Sequence, residues 1–164
     1  MAIKVSRPHF PKGYVSEPPG MLSWEDICQR MDEAQNYWIA TVGPNGAPHV
    51  TPVWGAWVED RFYFDGDPAT RHLRNIAQNP QVAVHLESGS RVLVINGHCA
   101  AVQAANAPTA RIAEVYWRKY ADLGYKPKAN QWDTGGLFVV IPKTVIAWTE
   151  FSTDPTKFTL SSEN

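Results

Sequence analysis

Thr70-Arg71-His72-Leu73-Arg74 gathers a hydroxyl, an imidazole and two guanidinium groups at the start of a predicted short helix. The first turn of a helix carries unpaired backbone N–H groups and a partial positive charge, which together bind phosphate. Arg71 adds a planar fork suited to phosphate oxygens, Thr70 a hydroxyl, and His72 and Arg74 further donors. The competing reading is a solvated helix with ordinary surface arginines, its free N–H groups satisfied by Asp67 as cap. Spacing alone leaves both open.

Other chemistries find less support. There is no Walker loop, no dinucleotide Gly-x-Gly-x-x-Gly and no strand–helix–strand unit to hold one. No Gly-x-Ser-x-Gly elbow occurs, and Ser88 and Ser90 sit in a predicted hairpin turn. The five histidines are scattered, and His98 and Cys99, adjacent on a strand, point to opposite faces. No metal site is expected. Tyr63, Tyr116 and His85 are titratable, but nothing marks one of them as a general acid, so no catalytic residue is assigned.

The elements that must position the basic helix start read clearly. Ser23 caps a helix reaching about Ala34, with Asp26 three residues on in a weak capping box. Residues 37–42 form a strand, and Asn45-Gly46 suits a tight hairpin. The next strand, 48–58, alternates His49, Thr51 and Val53 against Val50 and Trp54. Pro52 interrupts it or places it on an edge. A third strand at 61–65 leads to Asp67 and Pro68, expected to open a helix burying Leu73, Ile76 and Ala77. Strands at 81–86 and 91–102, a helix at 108–123, strands at 137–141 and 145–151, and a last edge segment at 157–160 complete the chain. Consecutive strands interrupted by one short helix argue for a mainly β (α+β) fold: an antiparallel barrel of about six to seven strands with peripheral helices.

Residues 1–22, rich in Pro and Gly, read as an extended arm, and residues 23–164 as one domain. The net charge of −1, from 15 basic and 16 acidic residues, gives no reason to expect nucleic acid or an anionic membrane as partner. The apolar runs are too short to span a bilayer, and no secretory h-region is present. Two cysteines in different elements suggest reduced thiols, so the expectation is a cytoplasmic protein. Of the seven tryptophans, Trp38, Trp54, Trp57 and Trp148 fall in predicted strands, where they either pack or line a flat ligand or an interface.

The ordered set 38–46, 48–54, Phe62-Tyr63-Phe64, 70–75 and Asn79-Pro80-Gln81-Val82 resembles the pyridoxamine 5'-phosphate oxidase-like FMN-binding split-barrel flavoproteins. The similarity covers about residues 25–151, and the Thr-Pro-Val-Trp segment is closest to the flavin- or deazaflavin-dependent oxidoreductase branch. The resemblance implies a split barrel and FMN, with the deazaflavin coenzyme F-420 as alternative. It matches Thr70-Arg71-His72 to the segment that holds the cofactor phosphate. It matches His49, Val50, Thr51, Val53 and Trp54 to the strand edging the isoalloxazine ring, and Phe64 and Asp65 to the strand end flanking the phosphate and ribityl chain. It also implies a homodimer with the site between subunits, to which Trp148 or the Gln131-Trp132 loop contributes from the partner.

The chain departs from that pattern at three cations. His72 stands where the family has Lys, and His49 and Trp54 where the vitamin oxidase has Arg and Lys. These losses argue against pyridoxamine phosphate as substrate. The expected activity is hydride transfer between a reduced cofactor, with reduced nicotinamide as a possible source, and an unidentified small molecule. A non-catalytic protein holding flavin or haem, and a structural dimer with a decayed site, are the alternatives.

Overall fold

The computed structural model describes residues 2–15 and 19–161, so residues 1 and 16–18 of the expected arm lie outside the described part. The arm begins as a strand, β1 (Ala2–Ser6), paired antiparallel with β9 (Thr156–Ser161) of the same chain.

Helix α1 (Trp24–Glu33) starts where Ser23 and Asp26 form a full capping box, worth about 1 kcal/mol. Strand β2 (Tyr37–Val42) turns through 43–47 into β3 (Pro48–Val53). The long strand expected at 48–58 is broken in two, and the break lies at Trp54-Gly55 rather than at Pro52. β4 (Ala56–Val58) then pairs with β5 (Arg61–Asp65). Gly55 explains the position: a Cβ there would lie 2.6 Å from the Tyr63 carbonyl and against the Phe62 ring. Pro52 is tolerated because β3 ends the sheet, leaving no outer ladder for it to interrupt.

Helix α2 (Arg71–Gln78) is followed by β6 (Gln81–His85), β7 (Leu93–Ala101), α3 (Thr109–Tyr120) and β8 (Leu137–Ala147). The two strands expected at 137–151 are thus one. Pro142 survives inside it because β8 changes partner there, pairing with β5 up to Val140 and with β9 from Thr144. β7 runs along the whole of β8, with a register shift at Asn96/Gly97. This exchange of neighbours on one long strand is the split of the barrel. All nine strands belong to one sheet, and every pairing is antiparallel.

Two packed cores follow from the alternation of β5. Phe62 and Phe64 point into the barrel with Ile39, Val84, Ile95 and Val140. Tyr63 points outward, where α3 covers it with Ile112, Tyr116 and Tyr120. β5 is therefore buried on both faces, and its end delivers Asp65 to the boundary between barrel and α3. Among the described residues no helix is long and apolar enough to cross a membrane.

Candidate functional site

Asp65 ends β5 within a cleft of about 570 Å³. Pro52, Val53 and Trp54 line it from the end of β3, Gly66 and His72 from the β5–α2 segment, and Tyr125, Gln131, Trp132, Gly135 and Gly136 from the loop after α3. Trp132, Gly135 and Gly136 also border a neighbouring hollow of about 770 Å³ against Ala101–Ala105.

Helix α2 is fixed to the barrel by Leu73 and Ile76 and by a buried bond from Asn75 Nδ2 to Thr41 Oγ1, 3.1 Å. Asn75, not Ala77, completes its inner face, because Thr41 on β2 offers that amide a partner. The helix begins at Arg71, later than expected. Asp67 caps a preceding turn, its Oδ1 accepting from Ala69 N at 2.8 Å, while Thr70 Oγ1 donates to the Asp67 carbonyl. Thr70 occupies the N-cap position, yet no side chain caps α2. Arg71 is exposed and makes no hydrogen bond to the described residues. His72 lines the cleft, and burial with nearby His49 holds its pKa below the ordinary imidazole value. It is therefore neutral at pH 7 and supplies one donor rather than a cation.

Of the other expected site residues, His49 and Thr51 are half-buried on β3, and Val50 is exposed on its outer face. Phe64 is wholly buried behind His72 and does not reach the cleft. Trp148 lies outside it, packed on Phe151, with its carbonyl accepting from Arg30 Nη1 at 3.1 Å. The Gln131-Trp132 segment, expected from a partner, lines the cleft of its own chain. Tyr125, Gly66 and the Gly135-Gly136 pair join the site unanticipated. Adjacent glycines, both at positive φ (103° and 85°), were the available signal for a wall of bare backbone.

Trp54, 37% exposed, is held by what lies beneath it. Its ring stacks on Tyr120 at 4.7 Å, and Tyr120 Oη accepts from Gly55 N at 3.0 Å. Lys119 Nζ donates to Tyr37 Oη and, at 3.3 Å, to the Gly55 carbonyl, and burial pushes its pKa down to about 8. The chain break that exposes Trp54 is thus tied to α3 from both sides of Gly55. Among the titratable side chains considered above, Tyr63 is buried beneath α3, Tyr116 is buried on the inner face of α3, and His85 sits on β6, its Nδ1 2.9 Å from the Leu86 carbonyl. Burial and the charge of Asp65 push the Tyr116 hydroxyl far above its ordinary range. No group of three or more His, Cys, Asp and Glu side chains converges among the described residues.

The cleft, the uncapped basic helix and the split sheet coincide with a match to the pyridoxamine 5'-phosphate oxidase family model over residues 25–150. The chain belongs to this family. No curated protein matches it. Among solved structures, an F420 reductase is similar at 25% identity over 83% of this chain and 98% of its own, with a TM-score of 0.55. HutZ, a haem storage protein from Vibrio cholerae, matches at 18% identity and TM-score 0.59, covering 75% of this chain and 92% of its own. An FAD-binding protein from Mesorhizobium loti matches at 14% identity and TM-score 0.55, covering 98% and 99%. The last two share the fold.

Proposed function

We propose that the chain is an oxidoreductase that holds FMN in this cleft and serves hydride transfer between a reduced nicotinamide and a small organic substrate. The observation that carries this reading is the start of α2: a helix end whose second residue, His72, lines the cleft, with no side-chain cap and an exposed guanidinium on its first residue. Helix termini left without partners are normally satisfied from outside, and an anion suits this one. The residues present fit the group. Arg71 and the first N–H groups of α2 hold the phosphate, and neutral His72 donates to it. Thr70 keeps both its hydroxyl and its backbone N–H on the Asp67 carbonyl, so its part is to fix the turn that presents the helix start.

His49, Val50, Thr51, Val53 and Trp54 edge the ring from β3 and the break that follows, while Phe64 fixes His72 from behind. When bound, the cofactor supplies the hydride chemistry. The chain's part is to fix Trp54 through Tyr120 and Lys119, to narrow water's access with the 125–136 loop, and to supply phosphate donors. The reading includes a homodimer, since β3 ends the sheet with Val50 (49% exposed) and Trp54 uncovered, and Trp148 then reaches the site from the partner. It also places the protein in the cytoplasm, which suits two unpaired cysteines.

A deazaflavin of the F-420 type is a second reading, favoured by the 25% identity to an F420 reductase and by the absence of Lys or Arg at 49, 54 and 72. Parallel titrations with FMN and F-420 decide between them. Binding of neither at micromolar concentration rejects both, and reduction by NADH or NADPH separates an enzyme from a flavin store. Arg71→Ala is expected to weaken cofactor binding by about 1.5–3 kcal/mol, the scale of a charged hydrogen bond. An unchanged affinity would place the phosphate elsewhere.

A further inference from the structure

Asp65 is a half-buried carboxylate held by donors that carry no charge. Oδ1 accepts from Tyr116 Oη at 3.3 Å, and Oδ2 from Tyr125 Oη and from Trp132 Nε1 at 3.3 Å. No described Lys, Arg or His makes an ion pair with it. Lys119 is governed by burial, Asp32 and Arg118, and His72 by burial and His49; Asp65 figures in neither. A carboxylate taken partly out of water normally finds a cation. Here it faces a cleft, and it is the one carboxylate among the described residues that line it.

The walls around it are aromatic. Trp54 and Tyr125 meet at 6.2 Å between ring centres with a 44° tilt, which forms a corner rather than a flat stack. Trp132, 2% exposed, adds what edge it leaves open, and Tyr116 braces it and Tyr125 from behind at 6.0 and 5.5 Å. Aromatic rings gathered around a negative charge are a usual receptor for an organic cation. The kind of cation follows from the acceptor count. Tyr125 and Trp132 donate to one oxygen of Asp65, and Tyr116 divides its single proton between the other and the Trp54 carbonyl, each at 3.3 Å, so the carboxylate offers charge more than hydrogen bonding. A primary ammonium would leave donors unpaired, whereas a quaternary or charge-delocalised one would not.

We propose that the cleft wall formed by Trp54, Tyr125, Trp132 and Asp65 binds the cationic, quaternary-ammonium-like end of the small substrate. This deepens the oxidoreductase reading, on which it rests for calling the ligand a substrate.

Choline and its neutral isostere 3,3-dimethylbutan-1-ol test the assignment by calorimetric titration, with and without saturating FMN. Choline is expected to bind about tenfold more tightly than the isostere, the scale of a desolvated cation–π contact. Asp65→Asn keeps the shape and should abolish that preference while leaving the isostere's affinity in place. Tyr125→Leu should reduce it. Equal affinity of the two probes for the unmodified protein overturns the proposal, whether or not the Asp65 variant folds. So does a preference that survives Asp65→Asn. Selectivity lost with FMN binding intact sinks this inference alone; selectivity kept without FMN binding sinks the cofactor reading alone.

Discussion

Replacing Lys119 by methionine isolates the electrostatic cost of the network under Trp54. Burial lowers the Lys119 pKa from 10.5 to about 8. Between those values the unfolded chain holds a proton that the folded chain has released, so stability rises with pH across this window. At about 1.4 kcal/mol per pH unit, the charged lysine costs the folded state roughly 3 kcal/mol at pH 7. About 2.5 kcal/mol of that is relieved by pH 10. Methionine fills the same path without the charge, at the loss of the bond to Tyr37 and the cation–π contact at 4.6 Å.

Urea unfolding of both proteins from pH 7 to 10 measures the effect as a difference. Raised pKa values at Cys28 (about 11), Cys99 and Tyr120 (each about 12) act in the opposite direction above pH 9. Both proteins share them, so they cancel. The wild type should gain about 2.5 kcal/mol on the variant over that range. A difference that stays constant with pH would mean that Lys119 titrates as an exposed lysine and that the network is not desolvated.

Two further outcomes follow from the site. Gly55→Ala should cost about 3 kcal/mol or more, because the added Cβ meets the Tyr63 carbonyl and the Phe62 ring. A denaturation midpoint unchanged from wild type would contradict that packing. His72→Lys should tighten FMN binding about tenfold by adding the missing cation. In the wild type, affinity relative to His72→Gln should grow as pH falls below the ordinary imidazole range, since lowering pH charges a side chain that burial keeps neutral. A flat ratio in fluorescence titrations would place His72 away from the phosphate.

The strands at 37–42 and 61–65 were readable because alternation and turn residues act locally. So was α1, whose cap and box lie within four residues of one another. What was not readable depended on distant chain. The break at Gly55 is imposed by Phe62 and Tyr63, and Pro142 is harmless only because β8 changes neighbour there. Asn75 replaces Ala77 inside α2 because Thr41, far back in sequence, meets it. The basic helix start and the β3 residues were visible as types in order. Of the opposing wall, the Gln131-Trp132 loop was visible but expected from a partner, and Tyr125 was not, since both Tyr125 and Trp132 reach the cleft through a carboxylate some sixty residues earlier.

The pairing of β1 with β9 sets an order on assembly. Ala2 finds its partner only at Ser161, so β1 leaves the ribosome well before β9 and waits for it. At ordinary synthesis rates that interval is on the order of 10 s, far longer than a hairpin such as β2–β3 needs to form. The barrel can therefore be complete from β2 through β8 while β1 still lacks a ladder. Its residues alternate with a lysine at Lys4, a charge that guards an unpaired edge against joining another chain during the wait.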